Sequence, residues 1–227
     1  MDRKHSFEAL CGIIEQLRSE HGCPWDREQT HVSLKQCLIE EAYEVLEGID
    51  EYDKTKDYDN LREELGDVLL QVVMHSVIAK EEGIFTIEEV IDEIARKMIR
   101  RHPHVFGDVL VTNSEGVVQN WEEIKKQEKK TRQIKDGLEA VPKAFPALIR
   151  AQKVVKKSNK MYGEEGIWTE SEWKKQITNL TSMEQEAKNQ EETLGKALFE
   201  LCKIAQKQQL DAEHCLAEYV KSFIEKK

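Results

Sequence analysis

The chain has 227 residues and a formal net charge of −10, and this acidic balance argues against a basic nucleic-acid-binding surface. Charged residues make up 34% of the chain and hydrophobic residues 39%, with 11 glycines and 4 prolines, as is typical of a soluble, helix-rich protein. The 5 cysteines are scattered without a Cys-x-x-Cys pair, which favours a reducing cytoplasm over a disulfide framework, and no apolar run approaches membrane-spanning length.

The hydrophobic pattern predicts helices along the whole chain and no convincing strand. The predicted fold class is therefore all-α, with two helical halves, residues 1–135 and 136–227, joined near residues 131–142. The predicted helices cover residues 5–20, 31–49, 61–82, 86–101, 115–130, 145–161, 170–190 and 191–224.

Local signals mark the ends of several predicted helices. Either Asp26 or Thr30 is expected to cap the helix that begins at residue 31, because short polar side chains are favoured at that position. Residues 50–60 are predicted to form a polar connection. Thr86 followed three residues later by Glu89 is a capping-box signature, so a helix is expected to begin there.

A narrow polar strip runs along the predicted helix over residues 61–82. The second half of this helix is apolar almost all the way round, yet Glu64, Asp67, Gln71 and His75 fall within roughly 80° of one another. Burying the two carboxylates is costly unless they are paired or bound to a metal ion. Gln71 and His75 extend the strip, either as hydrogen-bonding groups beside such a site or as ordinary satisfied core residues.

The preceding predicted helix carries a second acidic group beside its apolar stripe. Glu40, Glu41 and Glu44 occupy an arc of about 100° on that helix. Two neighbouring antiparallel helices would bring Glu41 and Glu44 to Glu64 and Asp67. Carboxylate oxygens in a mostly apolar wall suit Mg²⁺, with Mn²⁺ as a possible substitute. A solvated acidic face is the simpler interpretation of the glutamates alone, but it does not explain acidic residues on the apolar helix.

A di-iron centre is a competing interpretation of the same acidic residues. Such a centre in a helical bundle uses a Glu-x-x-His pair on each of two helices. Glu28 and His31 have this spacing, but the chain has no second such pair. The sequence therefore favours a purely carboxylate magnesium site.

A cluster of basic residues ends the predicted helix over residues 86–101. Lys97, Arg100 and Arg101 lie within about one turn, and three cations on one turn can bind several phosphate oxygens. Favourable interaction with the helix dipole is the alternative explanation. Trp121, with Lys125 one turn further on, adds an aromatic plane and another cation for a nucleotide.

The chain contains a faint internal repeat. The segment "EELGDVLLQVV" in the first half resembles "EETLGKALFEL" in the second, with one extra residue before the shared Leu-Gly pair. Lys196 then stands where the first copy has Asp67. If the repeat is real, the second half has lost a carboxylate.

Several motifs together carry a resemblance to a known family. They are "CPWDREQTHVSL", "EEAYEVLEGI", "LREELGDVLLQVV", "KMIRRHPHVFGD" and "NWEEIKKQEK". As a set they resemble the MazG nucleoside triphosphate pyrophosphohydrolases of the all-α NTP pyrophosphatase superfamily. The match is dense over about residues 20–130 and thin beyond them.

This resemblance implies Mg²⁺-dependent hydrolysis of an NTP or dNTP to the nucleoside monophosphate and pyrophosphate. It implies a homodimer whose helices share one bundle. Many relatives carry two complete repeats, but here the segment "TSMEQEAKN" stands where a second Glu-Glu-x-x-Glu motif would be expected and Lys196 replaces the aspartate. We therefore expect a catalytic first half and a degenerate second half. The implied metal ligands are Glu41, Glu44, Glu64 and Asp67, the implied triphosphate contacts are Lys97, Arg100 and Arg101, and Trp121 is the implied nucleotide contact.

In the mechanism that follows from this resemblance, water attacks the α-phosphorus in line and pyrophosphate leaves. Glu40 or Glu41 would orient or deprotonate that water, and the sequence does not choose between them. A different class of function is a non-catalytic helical regulator that binds a nucleotide or a protein. All four implied ligands are retained in the first half, which favours the enzyme.

Overall fold

A computed structural model describes residues 4–111, 113–131, 137–164, 166–181 and 187–226. Over these residues the regular elements are helices and no strand occurs, so the predicted all-α fold class is confirmed. The chain divides into two compact units, Met1–Ile124 and Lys125–Lys227. No helix in the described part of the chain has both the length and the apolar character needed to cross a membrane.

The helix bounds position the candidate residues. The first unit contains α1 (Phe7–Arg18), α2 (Pro24–Glu28), α3 (Lys35–Thr55), α4 (Asp59–Glu81), α5 (Ile87–Arg101), α6 (Pro103–Phe106) and most of α7 (Ser114–Thr131). The second unit contains a short 3₁₀ turn (Leu138–Ala140), α8 (Ala147–Tyr162), α9 (Glu170–Thr181), α10 (Ala187–Lys207) and α11 (Ala212–Glu225).

The connection between α3 and α4 is much shorter than predicted. Residues 50–55 continue α3, because they contain neither glycine nor proline to end it. The helix ends at Lys56, whose φ of 63° places it in the left-handed region. The predicted polar connection over residues 50–60 is therefore wrong, and only residues 56–58 separate two long antiparallel helices.

The segment before α3 also differs from the prediction. Pro24 starts the short helix α2, and Asp26 lies inside it, so Asp26 does not cap α3. Thr30 and Ser33 instead cap each other's backbone across the turn before α3. The Ser33 N–H donates to Thr30 Oγ1 at 3.1 Å, and the Thr30 N–H donates to Ser33 Oγ at 2.9 Å.

The start of α5 matches its sequence signature. The Glu89 N–H donates to Thr86 Oγ1 at 3.4 Å, and the Thr86 N–H donates to Glu89 Oε2 at 2.8 Å. The predicted capping box is confirmed. It fixes the first turn of the helix whose last turn carries the basic cluster.

The helix predicted over residues 191–224 is interrupted. Gln209 adopts a left-handed conformation with φ 59° just after α10, and Asp211 caps α11 by accepting the His214 N–H at 3.0 Å. A glutamine at a left-handed position gives no glycine or proline signal, which is why the prediction of one continuous helix was wrong.

The core of the first unit lies at one end of α4. Only the second half of α4 is buried, where it packs on α1 and on the start of α3. Leu65, Leu69 and Val72 stay exposed, so burial of this helix on all sides is not observed within this unit. The buried core cluster consists of Ile14, Leu34, Val73, Met74, Val77 and Ile78.

Gly48 sets the spacing of α3 and α4. It is buried, and a Cβ added there would lie 2.9 Å from Leu61 Cα and 3.0 Å from Leu61 N. Real Cβ atoms essentially never lie so close to backbone, so the two helices can approach at this point only because residue 48 has no side chain.

We expect Gly48→Ala to lower the free energy of unfolding. The overpacking cost of about 1–3 kcal/mol should outweigh the helix-propensity gain of roughly 1 kcal/mol. Urea unfolding measures the change. Gly12→Ala is the matched control, because a Cβ at this α1 position meets nothing within 4 Å and should stabilise the protein. Equal stabilisation by both substitutions would mean that α3 and α4 separate there without cost.

Candidate metal centre and phosphate-binding groups

Three carboxylates from α3 and α4 meet in the first unit. Glu41 projects from α3, and Glu64 and Asp67 project from successive turns of α4. One carboxylate oxygen from each lies within 4.8 Å of the others, and all three residues are half-buried. Among the described residues this is the one group of three or more acidic, histidine or cysteine side chains with such spacing.

The electrostatics of this acidic group identify Glu44 as its fourth neighbour. Burial raises the pKa of Glu41, and the negative charges of Asp67 and Glu44 raise it further. Burial also raises the pKa of Glu64, followed by the charge of Glu44. Glu44 is exposed, but its carboxylate lies beside both Glu41 and Glu64.

This donor set fits a hard divalent cation. No lysine or arginine among the described residues forms an ion pair with Glu41, Glu64 or Asp67. Carboxylate oxygens without a cationic partner, gathered within one small volume, are what Mg²⁺ and Mn²⁺ bind in proteins. The choice of these residues as metal ligands, and of magnesium as the metal, stays a prediction.

Glu40 is not one of the three carboxylates that meet between α3 and α4. It is exposed, and its Oε1 accepts a hydrogen bond from Gln36 Nε2 at 3.0 Å on the same helix. Consecutive helical residues differ by about 100° in direction, which separates Glu40 from Glu41. The assignment of Glu40 as a catalytic residue stays a prediction.

The polar strip on α4 continues past the acidic group. Gln71 is 94% buried, and its Oε1 atom has no hydrogen-bond partner. Gln71 is therefore not an ordinary satisfied core residue. His75 lies further along, and its ring stacks on the ring of His31 with 10° between the planes.

His31 and His75 share a hydrogen bond that sequence reasoning missed. Their Nδ1 atoms are 2.8 Å apart, so one ring donates and the other accepts. Burial lowers the pKa of His75, and the proximity of His31 lowers it further. The residues are distant in sequence, and their pairing depends on the packing of the segment before α3 against α4. No local pattern indicates such a pair.

The basic cluster lies on the last turns of α5. Lys97 and Arg101 are half-buried, and Arg100 is exposed. The Arg101 guanidinium lies 5.0 Å from the centroid of the Trp121 ring on α7, and the His102 ring meets Trp121 edge-on with centroids 5.0 Å apart. Trp121 therefore contacts the basic cluster and holds Arg101 by a cation–π interaction.

Lys125 lies one turn beyond Trp121 on α7, where it is exposed and belongs to the second unit. The assignment of Lys97, Arg100, Arg101, Trp121 and Lys125 as substrate contacts stays a prediction.

The second unit carries no equivalent acidic group among its described residues. Lys196 is exposed and pairs with Glu192 at 2.6 Å, one turn before it on α10. The segment "TSMEQEAKN", where the resemblance would place a second Glu-x-x-Glu motif, lies largely outside the described residues.

Comparisons with known proteins agree with the geometry. The MazG nucleotide pyrophosphohydrolase domain matches residues 29–106, which include all three carboxylates and the basic cluster. A Thermotoga maritima protein named nucleoside triphosphate pyrophosphohydrolase/pyrophosphatase MazG is 41% identical over 225 residues, covering 97% of this chain and 83% of the relative.

Two further relatives are longer proteins. A nucleoside triphosphate pyrophosphohydrolase of Escherichia coli K12 is 42% identical over 154 residues, or 67% of this chain and 57% of the relative. The Bacillus subtilis protein YabN, described as uncharacterized, is 54% identical over 152 residues, or 67% of this chain and 30% of the relative. The matched part of the chain thus spans less than two thirds of each of these two proteins.

The raised pKa values lead to an expected pH dependence of metal-free stability. The ordinary pKa of a glutamate carboxyl is about 4.3. When the pKa is higher in the folded protein, the folded state binds more protons than the unfolded state at pH values between the ordinary and the raised pKa. Glu41 and Glu64 therefore lower the free energy of unfolding as pH rises through that window. We expect Glu64→Gln to be more stable than wild type at pH 7, with the difference shrinking toward pH 4.

Urea unfolding in a chelator measures this difference. Glu47→Gln, an exposed position on α3, is the matched control and should show no such trend. In a separate thermal unfolding experiment without chelator, added Mn²⁺ should raise the Tm of wild type and of Glu47→Gln more than that of Glu64→Gln. A wild-type response to Mn²⁺ in Glu64→Gln would remove this residue from the ligand set.

Proposed function

The chain belongs to the MazG nucleotide pyrophosphohydrolase family, and from this premise we propose that it hydrolyses NTPs or dNTPs to nucleoside monophosphate and pyrophosphate. The observation that carries the proposal is the meeting of Glu41, Glu64 and Asp67 between α3 and α4. The names of the Thermotoga and Escherichia relatives support the same reaction.

The residues that would hold Mg²⁺ are Glu41, Glu44, Glu64 and Asp67. Their hard oxygen donors and the raised pKa values of two of them support this assignment. When bound, the ion would supply charge neutralisation for the triphosphate and activation of the attacking water. Mn²⁺ has the same ligand preference and could substitute.

The carboxylates also provide a base for the attacking water. In the proposed step, the water oxygen forms a bond to the α-phosphorus, the bond to pyrophosphate breaks, and one water proton passes to a carboxylate. Glu41 is one candidate for this base, because its carboxylate lies within the acidic group where the water would be activated. Glu40 is the alternative, since it lies on the neighbouring helix position and only one hydrogen bond, from Gln36, is made to it.

The basic cluster would bind the leaving group. Lys97, Arg100 and Arg101 can donate charge-assisted hydrogen bonds to phosphate oxygens, which stabilise the negative charge that develops on pyrophosphate. Contact with the Trp121 ring restricts the Arg101 guanidinium, which reduces the entropy lost when it binds phosphate. Trp121 and Lys125 would contact the nucleotide.

A homodimer is proposed as the working form. Leu65, Leu69 and Val72 on α4 are exposed in the single chain, and they would be covered if α4 entered a bundle shared with a second copy. The scattered cysteines, without a disulfide among the described residues, support a cytoplasmic location.

We expect Asp67→Asn to lower kcat/KM for NTP hydrolysis by about 10²-fold or more. The substitution removes the negative charge of one proposed metal ligand without changing the size of the side chain. Separation of monophosphate plus pyrophosphate from diphosphate plus phosphate measures the reaction and its cleavage position. Glu47→Gln should retain wild-type turnover. Nucleotide binding by the wild-type protein with no turnover in Mg²⁺ would instead favour the non-catalytic regulator.

We expect Lys97→Ala and Arg100→Ala each to lower kcat/KM by roughly 10²-fold, since each removes a charge-assisted contact to the leaving pyrophosphate. Arg96→Ala is the matched control on the same helix, because Arg96 pairs with Asp92 on the exposed surface. Equal rates in all three variants would show that the cluster only complements the dipole of α5.

A further inference from the structure

The second unit contains a cavity that the proposed hydrolysis does not use. The cavity lies between α8, the C-terminal half of α10 and the residues Glu164, Gly166 and Ile167, and its volume is about 420 Å³. This size falls within the range of small-molecule sites, roughly 300–1,000 Å³. Its polar wall includes Lys156, Asn159, Lys203, Gln206, Lys207 and Gln209.

Positive charge converges on this cavity although the whole chain is acidic. Lys156 and Lys207 line it against one exposed carboxylate, Glu164, while a third lysine, Lys203, is paired with Glu200. Neither Lys156 nor Lys207 has an ion-pair partner among the described residues. Helix α8 carries no acidic residue, so it adds to the positive potential on this side of the second unit.

The third lysine is fixed in the cavity wall. Lys203 Nζ donates to the Gly166 carbonyl oxygen at 2.7 Å and to Glu200 Oε1 at 2.8 Å, and both side chains are 90% buried. Glu200 Oε2 accepts the Trp168 N–H at 3.2 Å. These bonds tie Gly166 and Trp168 to α10, so this part of the wall is organised before any ligand binds.

The side-chain amide of Gln209 lines the cavity, although the backbone at this residue has a conformation in which glycine is favoured. Its φ of 59° lies in the left-handed region, where a side chain is unfavourable. A glycine would satisfy the backbone there, but it would remove the amide group from the cavity. Asn159 and Gln206 add two more amides, each able to donate and accept hydrogen bonds.

We propose that this cavity binds a phosphate-bearing small molecule of mononucleotide size. Lys156 and Lys207 meet the phosphate as charge-assisted donors, and the amides of Asn159, Gln206 and Gln209 meet the polar edges of the base or sugar. The volume of about 420 Å³ suits a small molecule. The proposed role is binding without hydrolysis, since the described residues here include no group of three possible metal ligands.

The test is calorimetric titration of the full-length protein with AMP in the presence of a chelator. Lys156→Ala/Lys207→Ala should weaken AMP binding at least about tenfold, because two charged contacts are lost. Lys153→Ala/Lys174→Ala removes the same charge from the same unit without touching the cavity wall, and it should bind AMP like wild type. Adenosine, which lacks phosphate, should not bind.

Gln209→Gly is a second variant whose loss of AMP binding could not be attributed to misfolding. It should raise the free energy of unfolding and still weaken AMP binding, because it relaxes the backbone and removes an amide. Equal loss of AMP affinity in both double variants would overturn the proposal, as would AMP binding no tighter than that of inorganic phosphate. Retained NTP hydrolysis by Lys156→Ala/Lys207→Ala would separate this site from the proposed reaction of the first unit.

Discussion

The packing of α3 against α4 gathers carboxylates that repel one another. The hydrophobic core holds these helices together at the opposite end of α4, where Val73, Val77 and Ile78 are buried. The close approach at Gly48 then keeps the helices near each other beyond that core. The acidic group is therefore an arrangement that the fold maintains against its own electrostatics, and a divalent cation is the natural compensation.

Periodicity and capping rules predicted much of this structure from sequence. The all-α class and the start of α5 at Thr86 follow from patterns within single helices. The convergence of Glu41 with Glu64 and Asp67 needed one further assumption, that the two helices joined by a short connection pack antiparallel. The interruption at Gln209 and the pairing of His31 with His75 do not follow from such patterns, because one depends on an unusual backbone conformation and the other on long-range packing. Burial along α4 likewise depends on which helices pack against it.

The two halves use one position of the repeat differently. Aligning the shared Leu-Gly pairs places Gln71 of α4 opposite Glu200 of α10, and both are buried. Glu200 has partners for both oxygens, the Trp168 N–H and Lys203. Gln71 Oε1 has none. In the second half this polar position is fully bonded within the cavity wall, while in the first half it leaves a buried amide oxygen without a partner.

The three-residue connection between α3 and α4 also bears on the order of folding. Contacts between these helices are local in sequence, and closing so short a loop costs little entropy. A helical hairpin of this kind can form early, before the more distant contact between α1 and α4. All four candidate ligands, from Glu41 to Asp67, lie within this one hairpin. The acidic group can thus assemble as a local folding event, without waiting for the rest of the chain.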